Sequence, residues 1–230
     1  MHAEPKTDEA ALAWDAVRRL EARVPQGVDA GLVERAQWYV GELGRWSATV
    51  RLTGYRSEAA RARELVGGSL LYLLAAPESQ SPLLDIGSGP GVPGLILAMA
   101  RPQWAVTLIE VRRRSANFLR HVVRELGLPR VEVIEDRAES AGLEPRLQQA
   151  FTTVTLRAVA NWPEAENLAR PFVAPEGRTV IALGPGSRVG PTSGVVREVT
   201  GPALHQRRRF LILARRQSGG GVPRGTRGPE

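Results

Sequence analysis

The feature that most constrains the fold is the segment SPLLDIGSGPGVPGLILAMARPQWAVTLIE, residues 81–110. A short apolar run closes on Asp85, and a turn dense in glycine and proline follows. A helix-like apolar run and a second strand-like run, closing on Glu110, complete it. Strand, glycine turn, helix, strand is the opening unit of a doubly wound α/β sheet, because a parallel return needs a crossover helix. The rhythm continues downstream. RRRSANFLRHVVREL reads as a helix closed by Gly127, VEVIE and FTTVTLRAV as strands, 163–173 as a helix, and RTVIALG as a strand. SGVVREVT and RRRFLILARR read as a final antiparallel pair, so the sheet is expected to be mostly parallel with an antiparallel C-terminal edge.

Upstream the pattern is helical. Leu12, Val17, Leu20 and Val24 lie near helical spacing in residues 8–24, and PQG breaks that helix. Asp29 is placed to cap a second helix, AGLVERAQWYVGELGRWSA. Ser57 is placed to cap a third, EAARARELVGGSLLYLLAA, which Pro77 stops. The expected organisation is an N-terminal helical cap over 1–77 and a Rossmann-like domain over 78–216. A Gly/Arg/Pro-rich tail over 217–230 has no apolar pattern and is expected to be disordered.

In open α/β sheets ligands bind beyond the carboxyl ends of the strands, so the loop after the first strand is the default site. Its glycines let backbone approach a ligand without a Cβ clash. Residues 89–94, GPGVPG, match the dinucleotide pattern G-x-G-x-x-G, with an acid, Glu110, at the end of the next strand. Pro93, however, sits where a helix should offer N–H groups to a pyrophosphate, and Pro has none. The tighter match is Asp85-x-Gly87-x-Gly89-x-Gly91. A carboxylate there repels a pyrophosphate and suits S-adenosylmethionine, whose methionine end carries an ammonium and a sulfonium. S-adenosylmethionine is the favoured ligand, a dinucleotide the second reading, and a ligand-free glycine turn the third. Glu110 is suited to take two ribose hydroxyls, or is simply an exposed strand-end acid.

Composition narrows the class. The chain has 230 residues, 43% of them hydrophobic, enough for one core. The longest apolar runs, such as LLYLLAA, are too short to span a bilayer, and the first ten residues lack a basic-then-apolar leader pattern. A cytoplasmic protein without a membrane partner is expected. There is no Cys, and His2, His121 and His205 are scattered, so no thiolate chemistry and no metal site are expected. The net charge is +7, and residues 206–230 alone carry seven Arg against one Glu. That invites a nucleic-acid partner, or describes a basic last strand and a solvated tail.

Together, LLDIGSGPGVPGLILAMARP, LIEVRRRSANFLRHVVRELGL, VEVIEDRAES and TLRAVA resemble the small-subunit ribosomal RNA guanine-N7 methyltransferase G family, also called glucose-inhibited division protein B. The resemblance covers about residues 35–215 and includes RLTGYR upstream. It implies a class I S-adenosylmethionine-dependent methyltransferase that acts as a monomer on guanine N7 of 16S ribosomal RNA, with ribosomal RNA or the small ribosomal subunit as its partner. It also implies that Gly87 and Val92 contact the cofactor, that Ala138 and Glu139 flank its adenine, that Glu110 takes its ribose, and that Arg157 sits between cofactor and incoming base. Asp85 and Gly89 complete the cofactor set. The family's usual polar residues are replaced here at Arg51, Leu65, Gly68, Leu156 and Gly184.

Guanine N7 has a lone pair and no proton to remove, so no catalytic residue is expected. The chain offers no Cys nucleophile, no obvious His or Lys base, and no N-P-P-Y type motif after the fourth strand. Trp162 reads as core. Two other functions stay open on sequence alone: methyl transfer to a different substrate, and a non-enzymatic relative that binds cofactor or ribosomal RNA.

Overall fold

A computed structural model describes residues 8–157, 161–190, 194–201 and 207–215. The expected disordered tail, and the end of the strand expected over 151–159, lie outside the described residues. Seven strands form one sheet in the order β3-β2-β1-β4-β5-β7-β6. They are β1 (Leu83–Ile86), β2 (Val106–Ile109), β3 (Val131–Ile134), β4 (Phe151–Arg157), β5 (Val173–Leu183), β6 (Val195–Val199) and β7 (Arg208–Ala214). β1 to β5 are parallel to one another, β7 runs antiparallel to β5, and β6 antiparallel to β7. The order reverses at β1, whose two neighbours are β2 and β4, and this switch point opens a crevice beyond the strand ends.

The helices are α1 (Glu9–Glu21), α2 (Leu32–Ser47), α3 (Glu58–Arg61), α4 (Gly68–Ala75), α5 (Gly94–Ala100), α6 (Arg113–Glu125), α7 (Ala138–Ala141) and α8 (Trp162–Ala169). Alternate strand residues feed two cores. Leu83, Val106, Leu108, Val180, Phe210 and Ile212 face a cluster that is continuous with the buried sides of α1, α2, α4, α5 and α6. Leu84, Ile86, Ile109, Val154, Leu156, Ile181, Leu183 and Leu211 face the other, with α7 and α8. The N-terminal helices therefore share one core with the sheet. Tyr39 on α2 is fully buried and donates from its hydroxyl to the Pro90 carbonyl of the glycine loop, at 2.9 Å.

Side-chain caps mark several helix starts. Asp8 accepts from the Ala10 N–H, Ser57 from Ala60, and Asn161 from Glu164, satisfying amides that have no partner inside the helix. Asp29 does not cap α2 as expected: Gly31 is the N-cap and has no side-chain cap bond, and Asp29 instead accepts from the Gly31 N–H in the turn before the helix. Gly127 follows α6 with φ +58°, the left-handed conformation expected of a helix stop.

Three elements depart from the sequence expectation. The third helix is not continuous: Ala62–Gly67 forms a π-helical turn between α3 and α4. There Gly67 lets α1 approach closely, since a Cβ on it would lie 3.3 Å from Leu20 Cδ1. Ser69 Oγ bonds back to the Leu65 carbonyl at 2.6 Å in the following turn. The helix expected over 163–173 ends at Ala169, because Pro171 has no N–H to carry the helical hydrogen-bond ladder further. β5 then starts at Val173 rather than near Arg178, with a register shift opposite Phe151 and Thr153. Gly177 permits that irregularity, since a Cβ there would meet the Phe151 carbonyl oxygen at 2.8 Å.

Candidate cofactor cleft

β1 ends at Ile86, and the chain turns through Gly87, Gly89 and Gly91, with φ of +70°, +54° and +104°. Left-handed backbone at three alternate positions is why this turn is built of glycine. Two more glycine requirements are steric. A Cβ on Gly91 would lie 2.8 Å from Leu95 Cβ, and one on Gly94 would lie 2.6 Å from Asp85 Cβ.

The loop's own amides are already committed. Gly87 and Ser88 N–H donate to the Ile109 carbonyl at 2.8 and 3.1 Å. Gly89 N–H donates to Glu110 Oε2 at 2.7 Å. Gly91 and Val92 N–H donate to the Ser88 carbonyl, and Leu95 N–H to that of Gly91. Gly94 N–H donates to Asp85 Oδ2 at 3.0 Å. Pro90 and Pro93 have no N–H. From residue 87 to 95 no amide is left to cradle a phosphate, which removes the basis of a pyrophosphate site. The exposed Gly87 carbonyl oxygen accepts no hydrogen bond among the described residues and suits an ammonium donor.

Asp85 is buried beneath the loop. Beside the Gly94 amide it receives the Thr155 hydroxyl at 2.8 Å; Thr155 is its partner across the β1–β4 ladder. Burial pushes the Asp85 carboxyl up to about 6, opposed by these hydrogen bonds and by the Arg157 charge. Glu110, also buried, follows β2. Its second oxygen accepts from the Arg112 N–H at 2.8 Å, so one carboxylate ties the glycine loop to the start of α6. Each oxygen keeps a lone pair. Arg157 ends β4. Its Nη2 donates to the Glu64 carbonyl of the π-helical turn at 3.1 Å, and its Nη1 is buried without a partner. A Cβ on Gly68 would lie 3.8 Å from that Nη1, so the side chain missing at Gly68 is part of why it is unpaired.

These groups surround a cleft of about 450 Å³, lined by Gly87, Gly89, Val92, Glu110 and Arg157 together with Leu52, Thr53, Leu65 and Arg112. Five of the eight sequence-derived positions thus meet at one cavity. Asp85 lies under the floor rather than on the wall. Ala138 and Glu139 start α7 after β3, one strand further out, and are not among the lining residues. The wall formed by Leu52, Thr53 and Leu65 comes from the N-terminal helical part, which no strand-and-loop pattern points to. The nearest signal was the RLTGYR segment that contains two of them. Among the described residues no group of three or more His, Asp or Glu could hold a metal, and no helix is long and apolar enough to cross a membrane.

Fold and cleft define a class I S-adenosylmethionine-dependent methyltransferase. Among solved structures the fold matches a methyltransferase from Geobacter sulfurreducens, with TM-score 0.55, 18% identity, and coverage of 77% of this chain and 89% of that one. It also matches MtNAS in complex with MTA and tNA, with TM-score 0.51, 17% identity, and coverage of 92% and 91%. Sequence carries the identification further: the chain belongs to the rRNA small subunit methyltransferase G family, whose profile matches residues 32–188. Relatives named ribosomal RNA small subunit methyltransferase G include one from Roseiflexus sp. (strain RS-1), 34% identical over 157 residues, covering 68% of this chain and 67% of the relative. One from Chromobacterium violaceum is 37% identical over 152 residues, covering 66% and 70%, and one from Acidiphilium cryptum is 36% identical over 180 residues, covering 77% and 80%.

Proposed function

We propose that this chain transfers a methyl group from S-adenosylmethionine to guanine N7 of small-subunit ribosomal RNA. Family membership supports the methyl donor and the ribosomal RNA substrate. The observation that carries the cofactor choice is the loop's full set of internal amide bonds. A glycine loop with no free backbone N–H and an open carbonyl favours an ammonium at that loop over a phosphate.

When bound, S-adenosylmethionine supplies a methyl group activated by its sulfonium. The chain's task is to bind and align. Gly87 offers its carbonyl oxygen to the ammonium. Gly89 and Val92 shape the wall, the latter with an apolar contact. Glu110 accepts from the ribose hydroxyls on its remaining lone pairs. Ala138 and Glu139 extend the site to the adenine: the Glu110 N–H bonds to Ile134 at the end of β3, so α7 lies next along the row of strand ends. Asp85 is a positioning residue that holds Gly94 and hence the turn. Arg157 faces the incoming base with an unpaired Nη1.

The lining residues fit a nucleophile that needs no deprotonation. Their ionisable groups are Arg112, Arg157 and a Glu110 already held by two amides. None is a free base. The helical part up to Ala75 serves as the roof, contributing Leu52, Thr53 and Leu65.

Calorimetric titration of wild type and Gly87→Asp with S-adenosylmethionine tests the cofactor half. Binding in the wild type that disappears in the variant is expected, because the new carboxylate projects from a left-handed position on the wall. A folded wild type that does not bind overturns it. Transfer of labelled methyl to small subunits, followed by borohydride and aniline cleavage at N7-methylguanine, tests the acceptor. Label without cleavage refutes N7.

A further inference from the structure

Beside the cofactor cleft lies a second cavity of about 480 Å³, lined by Gly44, Ser47, Ala48, Arg51, Thr53, Gly54, Tyr55, Arg56 and Arg61. Three arginines and no acid form its wall. Thr53 lines both cavities, so they share a partition. The charges of Arg61 and Arg157 both act on the buried Tyr39 hydroxyl, so both guanidiniums lie near that one side chain.

Several polar groups of this cavity have no hydrogen-bond or ion-pair partner among the described residues. Arg61 Nε and Ser47 Oγ are buried and unbonded. Arg51, Arg56 and Arg61 make no ion pair among the described residues. The basic run of β7 contrasts with them. Arg207 pairs with Glu198 and Arg208 with Glu64, while Arg209 donates to the Ser187 carbonyl and Arg215 to that of Val173. The positive charge prominent in the sequence near 207–215 is thus neutralised or bonded internally, and that of 51–61 is not. Gly44 keeps the cavity open, since a Cβ on it would lie 3.0 Å from Arg61 Nη2 and 3.1 Å from Nη1.

We propose that this cavity binds one backbone phosphate of the RNA beside the nucleotide whose base enters the cofactor cleft. A buried unbonded N–H, a buried unbonded hydroxyl and two exposed guanidiniums are the donor set for a phosphate and are costly to leave unmatched otherwise. A base splayed from its strand carries its own backbone with it, and the shared Thr53 wall puts the backbone site next to the base site. The inference rests on the ribosomal RNA reading above.

The test measures binding to small-subunit ribosomal RNA across a salt series for wild type, Arg51→Gln, Arg61→Gln, the double variant, Gly44→Ala and Gly41→Ala. A lost phosphate contact lowers the slope of log affinity against log salt by about one. Arg61→Gln and Gly44→Ala are expected to show that loss, the second by displacing the guanidinium while keeping its charge. The double variant is expected to lose little more, because one phosphate serves both arginines. Gly41→Ala, on the same helix with nothing within 4 Å of its new Cβ, is expected to leave the slope unchanged. S-adenosylmethionine affinity is expected to stay unchanged in all. A wild-type slope retained by Arg51→Gln, Arg61→Gln and Gly44→Ala, with RNA binding intact, overturns the phosphate site and leaves the methyltransferase reading standing. A wild type that neither binds nor methylates the RNA overturns both. Thermal melting shows which variants are folded, and the exposed Arg51 keeps the test open if Arg61→Gln is not.

Discussion

Replacing Asp85 by Asn should make the protein's stability less dependent on acid in a defined window. The Asp85 carboxyl is 1% exposed, and burial pushes it up to about 6, above the usual carboxylate value of about 3.9. Below both values it is protonated in the folded and unfolded chains alike, and its effect is fully present. As pH rises from about 4 to about 6 the unfolded chain releases its proton first, so the native state loses stability. The slope is about 1.4 kcal/mol per pH unit, and a shift of about two units amounts to about 3 kcal/mol. Above about 6 the loss is complete and flat. Asn retains the geometry: its carbonyl oxygen can accept from Gly94 N–H, and its amide can donate to Thr155 Oγ1, whose hydroxyl also lies 3.3 Å from the Leu84 carbonyl. Urea unfolding of both proteins, followed by the fluorescence of the five tryptophans, gives the comparison. The stability of Asp85→Asn minus that of wild type should climb by about 3 kcal/mol between pH about 4 and about 6, then level off. Taking the difference removes carboxylates such as Asp29, whose hydrogen bond from Arg35 holds it low and which acts in the opposite sense. Two curves that stay parallel over the whole range would refute the reasoning, because Asp85 would then ionise as if solvated.

Other substitutions separate loop geometry from global stability. Gly94→Ala forces a Cβ to 2.5 Å from Leu108 Cδ2 and 2.6 Å from Asp85 Cβ. It should cost about 1–3 kcal/mol in chemical denaturation and weaken S-adenosylmethionine binding. Gly41→Ala lies in the interior of α2 with open space around it and should raise stability by about 1 kcal/mol, with methyl transfer unchanged.

Much of this protein is legible along the chain. The alternation of strand, glycine turn and helix from Leu83 to Ile109 requires a parallel sheet. Ser57 and Gly127 signal helix ends through local chemistry that acts within a few residues. Gly87, Gly89 and Gly91 are readable because left-handed backbone selects for glycine wherever the chain later goes. Reading failed where a partner distant in sequence decides. The π-helical turn at Ala62–Gly67 depends on α1 pressing against Gly67 and supplies the Glu64 carbonyl to Arg157, 93 residues away. Asp85 was legible as an acid next to the loop, but only packing put it below the floor, held by the cross-strand neighbour Thr155. Charge misled most. The arginines of 207–215 are conspicuous in the sequence and mostly bonded in the fold, while Arg51, Arg56 and Arg61 look ordinary and converge unpaired around one cavity. Local backbone preference is written residue by residue, but whether a charge is matched depends on what the tertiary structure brings within a few ångströms of it.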